Sequence, residues 1–92
     1  MIRKHVVAHG RVQGVGFRYV CSSIAVNCKV TGWVCNKNDG TVEMEVQGAE
    51  HRVDLFLQEV GRGNRFARVD RLDVQDIRPL NALDEKSFRI RY

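Results

Sequence analysis

In the segment KHVVAHGRVQGVGFRYVCSSIAVNC, residues 4–28, the hydrophobic period changes from two residues to three or four, and this change indicates a strand followed by a helix. Its first part, Lys4–Val12, alternates between the two faces of an extended chain and predicts a strand. From Phe17 onward, apolar residues recur at intervals of three and four, which predicts an amphipathic helix ending near Cys28. The apolar face of the strand comprises Val6, Ala8 and Val12, and that of the helix comprises Phe17, Val20, Cys21, Ile24, Ala25 and Cys28. The glycines between the two periods predict a connecting loop.

Two further β-prone segments follow, separated by a short turn. Residues 31–36 read TGWVCN and residues 41–47 read TVEMEVQ. The second segment alternates strictly, so we expect a hairpin with one buried face and one solvent-exposed face. The predicted buried face comprises Val42, Met44 and Val46, and the predicted exposed face comprises Thr41, Glu43, Glu45 and Gln47. The turn between the segments, Lys37–Gly40, places a glycine where positive φ is favoured.

The second half of the sequence predicts one helix and two strands. An apolar stripe predicts a helix that ends at Gly61; the stripe comprises Val53, Phe56, Leu57 and Val60. Residues 67–77 have an extended pattern, but their apolar parity slips, which predicts a β-bulge near Asp70. After a loop at Pro79–Lys86, the alternating residues 88–92 predict a closing strand.

The predicted order of elements is strand, helix, strand, strand, helix, strand, strand. This order predicts an α+β fold, the ferredoxin-like split βαβ sandwich, with an antiparallel sheet of four to five strands and two helices on one face. A chain of 92 residues fits one such domain, which we expect to span residues 1–92. Since this architecture carries many activities, the fold leaves the function open.

Composition narrows the class of protein. Hydrophobic residues make up 43% of the chain and charged residues 28%, as in an ordinary globular domain. The basic start of the chain precedes an apolar run of only Val6–Ala8, too short for a signal peptide or membrane span, so we expect a cytoplasmic protein with no membrane partner. We also expect a monomer. The net charge of +4 weakly favours anionic ligands, because the basic residues are scattered. The cysteines are expected to be free thiols, with Cys21 and Cys28 buried.

The glycine-rich loop and the arginine after it carry the candidate chemistry. Gly14 and Gly16 can adopt backbone conformations that turn several N–H groups toward one point, and the start of the following helix adds more. Arg18, in the first helical turn, could place its guanidinium on two oxygens of a phosphate. As a bare pattern, the segment is equally compatible with a simple turn beside a solvated arginine. It is neither a Walker loop, which requires Gly-Lys-Ser/Thr, nor a dinucleotide fingerprint.

Three segments resemble the acylphosphatase family. GRVQGVGFR at residues 10–18 resembles the family's first signature, and GWVCN at 32–36 followed by DGTVE at 39–43 resembles its second. The final SFRIRY, residues 87–92, is similar to the family's closing strand. The resemblance spans nearly the whole chain. It implies a metal-independent hydrolase without a cofactor, which cleaves the carboxyl–phosphate bond of small acyl phosphates to a carboxylate and inorganic phosphate.

The resemblance also implies roles for individual residues. The phosphate would be bound by the backbone amides of Gly14, Val15, Gly16, Phe17 and Arg18. The Arg18 side chain would clamp the phosphate and Asn36 would hold the attacking water, so these two are the implied catalytic residues. Gln13 would support the loop. Cys35 stands where the family commonly has Lys; on strand parity it points away from Asn36, so we expect a local change in packing or surface.

Acyl phosphate hydrolysis is a reaction that backbone amides, one arginine and one asparagine could catalyse. The leaving carboxylate needs no protonation by a general acid, so positioning and charge stabilisation can supply most of the catalysis. Neither signature places a carboxylate or histidine as a general base. We therefore hypothesise that the substrate phosphate accepts the proton of the attacking water.

Two other functions remain open from the residues alone. GVGFRY, residues 14–19, faintly resembles the aromatic motif of RNA-recognition domains, but it enters a helix instead of lying on a central strand, so we expect no nucleic-acid partner. The second is a non-catalytic module that binds acyl phosphates; the presence of both Arg18 and Asn36 argues against it. A metal site is disfavoured, because the cysteines are spaced seven residues apart and the histidines are expected on the surface.

Overall fold

The computed structural model describes the whole chain, Met1–Tyr92, and contains two helices and a five-stranded sheet. In chain order the elements are β1 (Ile2–Arg11), α1 (Phe17–Cys28), β2 (Thr31–Asn36), β3 (Val42–Gly48), α2 (Glu50–Gly61), β4 (Arg68–Ile77) and β5 (Phe88–Arg91). The strands lie side by side in the order β4-β1-β3-β2-β5, and the helices pack against each other over one face. The predicted order and the ferredoxin-like fold are confirmed. Neither helix is long and apolar enough to span a membrane.

One edge of the sheet differs from the prediction of a wholly antiparallel sheet. Strands β4, β1, β3 and β2 pair antiparallel, but β5 pairs parallel with β2, from Gly32 opposite Phe88 to Cys35 opposite Arg91. Because β4 and β5 lie at opposite edges, residues 78–87 must cross the end of the sheet. They reach the far edge beside the start of β2, so β5 runs in the same direction as β2.

The hydrophobic core lies between the sheet and the helices. The stripes predicted for both helices supply it: Phe17, Cys21, Ala25 and Cys28 from α1 and Val53, Phe56 and Val60 from α2 are buried. They meet the buried strand residues Val6, Ala8, Val34, Val42, Met44, Val46 and Phe88. The rings of Phe56 and Phe88 are 5.6 Å apart between centroids, which packs α2 onto the edge strand β5. The alternation seen in the sequence is therefore the alternation between this core and the open face of the sheet.

The predicted bulge near Asp70 is confirmed. His9 lies opposite Arg71 and Gly10 lies opposite Val69, so Asp70 has no partner on β1. One extra residue in β4 restores the apolar parity that slips in the sequence.

The prediction that the polar face of residues 41–47 is solvent-exposed is wrong at both ends, because Thr41 and Gln47 are buried. Gln47 is only 2% exposed, because the segment that crosses the end of the sheet covers it. The Gln47 amide donates a hydrogen bond to the Leu80 carbonyl at 2.9 Å and accepts one from the Leu80 N–H at 2.8 Å. Glu43 is paired with His5 at 2.7 Å instead of being simply solvated.

Arg3 joins this same segment to the sheet. Its side chain is 1% exposed, and its guanidinium pairs with Glu45 at 2.7 Å and with Glu85 at 2.9 Å. It also donates to the Gln47 side-chain oxygen at 3.1 Å. A charge this deeply buried requires such a set of acceptors, and together they fix residues 78–87 across the end of the sheet.

Replacing Arg3 with methionine is expected to lower the free energy of unfolding by about 2–4 kcal/mol, because two partly buried carboxylates lose their counter-charge. Urea unfolding measures the loss. The matched control is Lys4→Met on the next residue, which removes a pair with the largely exposed Asp76. Because that pair is solvated, this variant is expected to lose much less stability than Arg3→Met. Equal losses in the two variants would contradict the structural role assigned to Arg3.

The carboxyl of Glu85 makes part of this stability dependent on pH. Burial alone would raise its pKa, but the hydrogen bonds from Arg3 outweigh burial and hold the pKa below the ordinary value of 4.5. The lowered pKa means that the stabilisation is present above pH 4.5 and is lost as the pH falls through the folded-state pKa. Glu85→Gln is therefore expected to be less stable than wild type at pH 7, with the difference shrinking in acid. Urea titrations from pH 7 down to pH 3 measure both changes, and a difference that is constant with pH would contradict this account.

Candidate active site

The loop between β1 and α1 presents a group of unpaired backbone amides. Gly14 and Gly16 have φ of 74° and 76°, while Val15 between them has an ordinary negative φ. This alternation turns successive N–H groups toward one side, as in an anion-binding nest. The amides of Gly14, Val15 and Gly16 donate no hydrogen bond within the protein. Phe17 and Arg18 follow in the first helical turn, where the helix has no carbonyl to offer their N–H groups.

Gln13 fixes this loop to the β2–β3 hairpin. Its side-chain amide donates hydrogen bonds to the Lys37 carbonyl at 2.7 Å and to the Thr41 carbonyl at 2.8 Å. Both carbonyls belong to the turn that directly follows Asn36. The supporting role expected for Gln13 therefore has a geometric basis, since one side chain joins the loop to the strand that ends in Asn36.

The Arg18 guanidinium is held by the end of the chain. It donates a hydrogen bond to the Arg91 carbonyl at 3.0 Å, and its central carbon lies 4.8 Å from the centroid of the Tyr92 ring. No carboxylate lies within 4.0 Å of it. Its position is therefore set by a carbonyl and a ring face, and its positive charge is not neutralised by an acidic residue.

Asn36 is the last residue of β2 and lies on the helix side of the sheet, like Val34 two residues before it. Its side chain borders the same cleft as Arg18. Cys35 points to the opposite face, where its sulfur lies 4.0 Å from a carboxylate oxygen of Glu43. The alternation of β2 thus separates the two side chains as the sequence predicts.

The amide loop, Arg18 and Asn36 meet at a cleft of about 170 Å³. The residues around it are Val12, Gly14, Gly16, Phe17, Arg18, Tyr19, Asn36, Ile90 and Tyr92. Of the predicted site residues, only Val15 does not border the cleft; it is partly buried against the core and lines a neighbouring depression. Sequence reasoning missed Tyr92, whose place depends on β5 pairing parallel with β2, and no local pattern around Tyr92 indicates that pairing.

Phe17 is 2% exposed and begins the buried stripe of α1. An aromatic side chain that stacks on a base must lie on an accessible surface. Phe17 of the motif that faintly resembles RNA-recognition domains is therefore unavailable for stacking. The second aromatic of that motif, Tyr19, is 70% exposed but lies on α1 and not on a central strand of the sheet.

The electrostatics of the cleft are simple. No Asp, Glu, His, Lys or Cys borders it, so Arg18 provides the only formal charge among its lining side chains. No group of three or more His, Cys, Asp or Glu side chains in the protein is arranged to hold a metal ion. The thiols are poor nucleophiles at neutral pH, because burial raises the pKa of Cys21 to about 12 and also raises that of Cys28 and Cys35.

This arrangement can bind a tetrahedral anion and orient a water molecule. Amide N–H groups and a guanidinium are the donors that recognise phosphate oxygens. The Asn36 side chain has both a donor and an acceptor, so it can fix the orientation of a water molecule beside that anion.

Along its whole length the chain is similar to proteins named acylphosphatase. The acylphosphatase family model matches residues 4–90. An acylphosphatase of Geobacillus thermodenitrificans is 52% identical over 94 residues, which cover 100% of this chain and 96% of the relative. One of Clostridium beijerinckii is 45% identical over 92 residues, covering 100% of both chains. The crystal structure of acylphosphatase from Bacillus subtilis matches with a TM-score of 0.92 at 37% identity, covering 100% of both chains.

Proposed function

Because the chain belongs to the acylphosphatase family, we propose that it hydrolyses the carboxyl–phosphate bond of small acyl phosphates at the cleft between Arg18 and Asn36. The products are a carboxylate and inorganic phosphate. One observation carries the assignment of the site: the unpaired amides of the Gly14–Arg18 loop share a cleft with an arginine that has no carboxylate partner.

The phosphate is bound by the loop and by Arg18. The amides of Gly14, Val15, Gly16, Phe17 and Arg18 surround its oxygens, and the positive end of the α1 dipole adds to the attraction. The Arg18 guanidinium binds from the side and stabilises the charge that spreads over the oxygens in the transition state. Its contacts with the Arg91 carbonyl and the Tyr92 ring support this role, because they restrict its motion before the substrate arrives.

Asn36 orients the attacking water toward phosphorus, in line with the bond to the carboxyl oxygen. The water oxygen forms a new bond to phosphorus while the bond from phosphorus to the acyl oxygen breaks. The bonding electrons leave with the carboxylate, which needs no proton at neutral pH. The water's proton passes to a phosphate oxygen of the substrate, since no carboxylate or imidazole borders the cleft to accept it.

We propose that no metal ion takes part. The side chains that border the cleft include no carboxylate, imidazole or thiolate, which are the usual protein ligands of catalytic metals. Arg18 and the amides supply the positive potential that a metal supplies in many phosphoryl-transfer enzymes.

Hydrolysis of benzoyl phosphate by the wild-type protein in excess EDTA tests this proposal. We expect a rate far above the uncatalysed rate, unchanged by EDTA, with competitive inhibition by inorganic phosphate. The pH–rate profile should show no enzyme group that must titrate near neutrality. A folded protein with no rate above background would overturn the catalytic function, and activity abolished by EDTA and restored by a divalent metal would overturn the metal-free mechanism.

A further inference from the structure

A second concavity, here called the outer hollow, adjoins the active-site cleft. It has a volume of about 330 Å³ and is lined by Arg11, Gly14, Val15, Arg65 and Phe66. Gly14 borders both the outer hollow and the cleft, so the two depressions meet at the loop proposed to bind phosphate. A molecule that extends from the cleft across Gly14 would enter the outer hollow.

The two arginines of the outer hollow are unneutralised. Three other arginines near this part of the chain are each paired with an acidic residue: Arg62, just after α2, with Glu59 at 3.5 Å, and Arg68 and Arg71 of β4 with Asp70 at 2.8 Å and Asp73 at 3.1 Å. Arg11 and Arg65 have no carboxylate within 4.0 Å. Two like charges around one concavity favour an anionic occupant.

An exposed aromatic ring stands beside these charges. Phe66 is 64% exposed, and the Arg65 guanidinium carbon lies 5.6 Å from its ring centroid. The turn that carries both residues is ordered by Asn64, whose side-chain oxygen accepts hydrogen bonds from the Phe66 and Ala67 amides, each at 2.8 Å. The turn therefore presents an apolar surface next to a positive charge, which suits a ligand with a flat carbon skeleton and a negative end.

We propose that Arg11 and Arg65 form a second anion subsite, which binds a negatively charged group on the acyl part of the substrate. This inference rests on the proposed function. The substrate class it indicates is an acyl phosphate with a second anionic group, such as a carboxylate, at the end of a carbon skeleton. The phosphate occupies the cleft, the skeleton passes Gly14 and packs against Phe66, and the second anion lies between the two guanidinium groups.

Two substrates of equal shape test the proposal: 4-carboxybenzoyl phosphate, whose distal group is anionic, and 4-carbamoylbenzoyl phosphate, whose distal group is neutral. The measured quantity is kcat/KM for the anionic substrate divided by kcat/KM for the neutral substrate, in wild type, Arg11→Gln and Arg65→Gln. Comparing this ratio between proteins cancels the intrinsic reactivity of the two substrates. Arg78→Gln is the matched control, because Arg78 is exposed, unpaired and outside both depressions.

We expect each of Arg11→Gln and Arg65→Gln to lower the ratio about two- to fivefold, mainly through KM of the anionic substrate, and we expect added salt to lower it in wild type. Arg78→Gln should leave the ratio unchanged. A ratio unaffected in all three variants, while wild type hydrolyses both substrates, would overturn the subsite and leave the proposed function standing. Free terephthalate provides a further test. If it changes the rate with the neutral substrate in wild type but not in Arg65→Gln, while wild type shows no preference for the anionic substrate, Arg65 belongs to an anion site separate from the substrate site. That result would also overturn the proposed subsite. Hydrolysis of neither substrate would overturn the proposed function, and the subsite with it.

Discussion

Replacing Arg18 with alanine is expected to lower kcat/KM for benzoyl phosphate by about 10³-fold or more, while the protein remains folded. The substitution removes the only formal charge among the side chains that border the cleft. It should therefore weaken both ground-state binding and transition-state stabilisation, so that kcat falls, KM rises and the inhibition constant of inorganic phosphate rises with KM. Steady-state kinetics with phosphate as inhibitor measures all three quantities.

Two further variants make this result interpretable. Arg18→Lys keeps the charge but loses the planar pair of donors, so we expect it to recover only part of the lost activity. Arg89→Ala removes an exposed arginine of β5 that lies outside the cleft and should behave as wild type. An Arg18→Ala protein that is folded and retains normal phosphate inhibition would contradict the proposed clamp.

Replacing Asn36 with alanine is expected to lower kcat by about 10²–10³-fold with little change in the inhibition constant of phosphate. The reason for this difference from Arg18 is that Asn36 is proposed to contact the water and not the phosphate. Its side chain makes no hydrogen bond within the protein, and the residue is exposed, so its loss should hardly alter stability. Thermal unfolding and phosphate inhibition are measured beside the rate.

The matched control for this variant is Asn38→Ala. Asn38 is an exposed asparagine of the same β2–β3 turn and does not border the cleft, so its loss should leave kcat unchanged. If Asn36→Ala lost phosphate affinity as severely as kcat, Asn36 would be a phosphate ligand and the assignment of the water would be wrong.

Local patterns in the sequence determined the elements and their order. Apolar residues spaced two apart predict strands and those spaced three to four apart predict helices, because these are the spacings at which side chains share one face of each element. The slip of parity before Leu72 was enough to predict the bulge at Asp70, since an extra residue reverses the faces on one side of it. The glycines before Phe17 predicted where positive φ occurs. The resemblance then pointed to Arg18 and Asn36, which the fold brings to one cleft.

Contacts between distant parts of the chain could not be predicted from local patterns. Residues 78–87, which cross the end of the sheet, bury both Gln47 and Arg3. The local pattern predicts that Gln47 is exposed and gives no prediction for Arg3. Tyr92 lies against Arg18 because β5 pairs parallel with β2, and Arg65 lines the same hollow as Gly14 because β4 pairs antiparallel with β1. Each of these partners lies far from the other in sequence, so no periodicity connects them. The sequence pattern and the resemblance therefore predict candidate phosphate-binding residues, whereas pairing between distant strands sets the contacts of Arg18 and the charges beside the cleft, because those partners meet only in the folded chain.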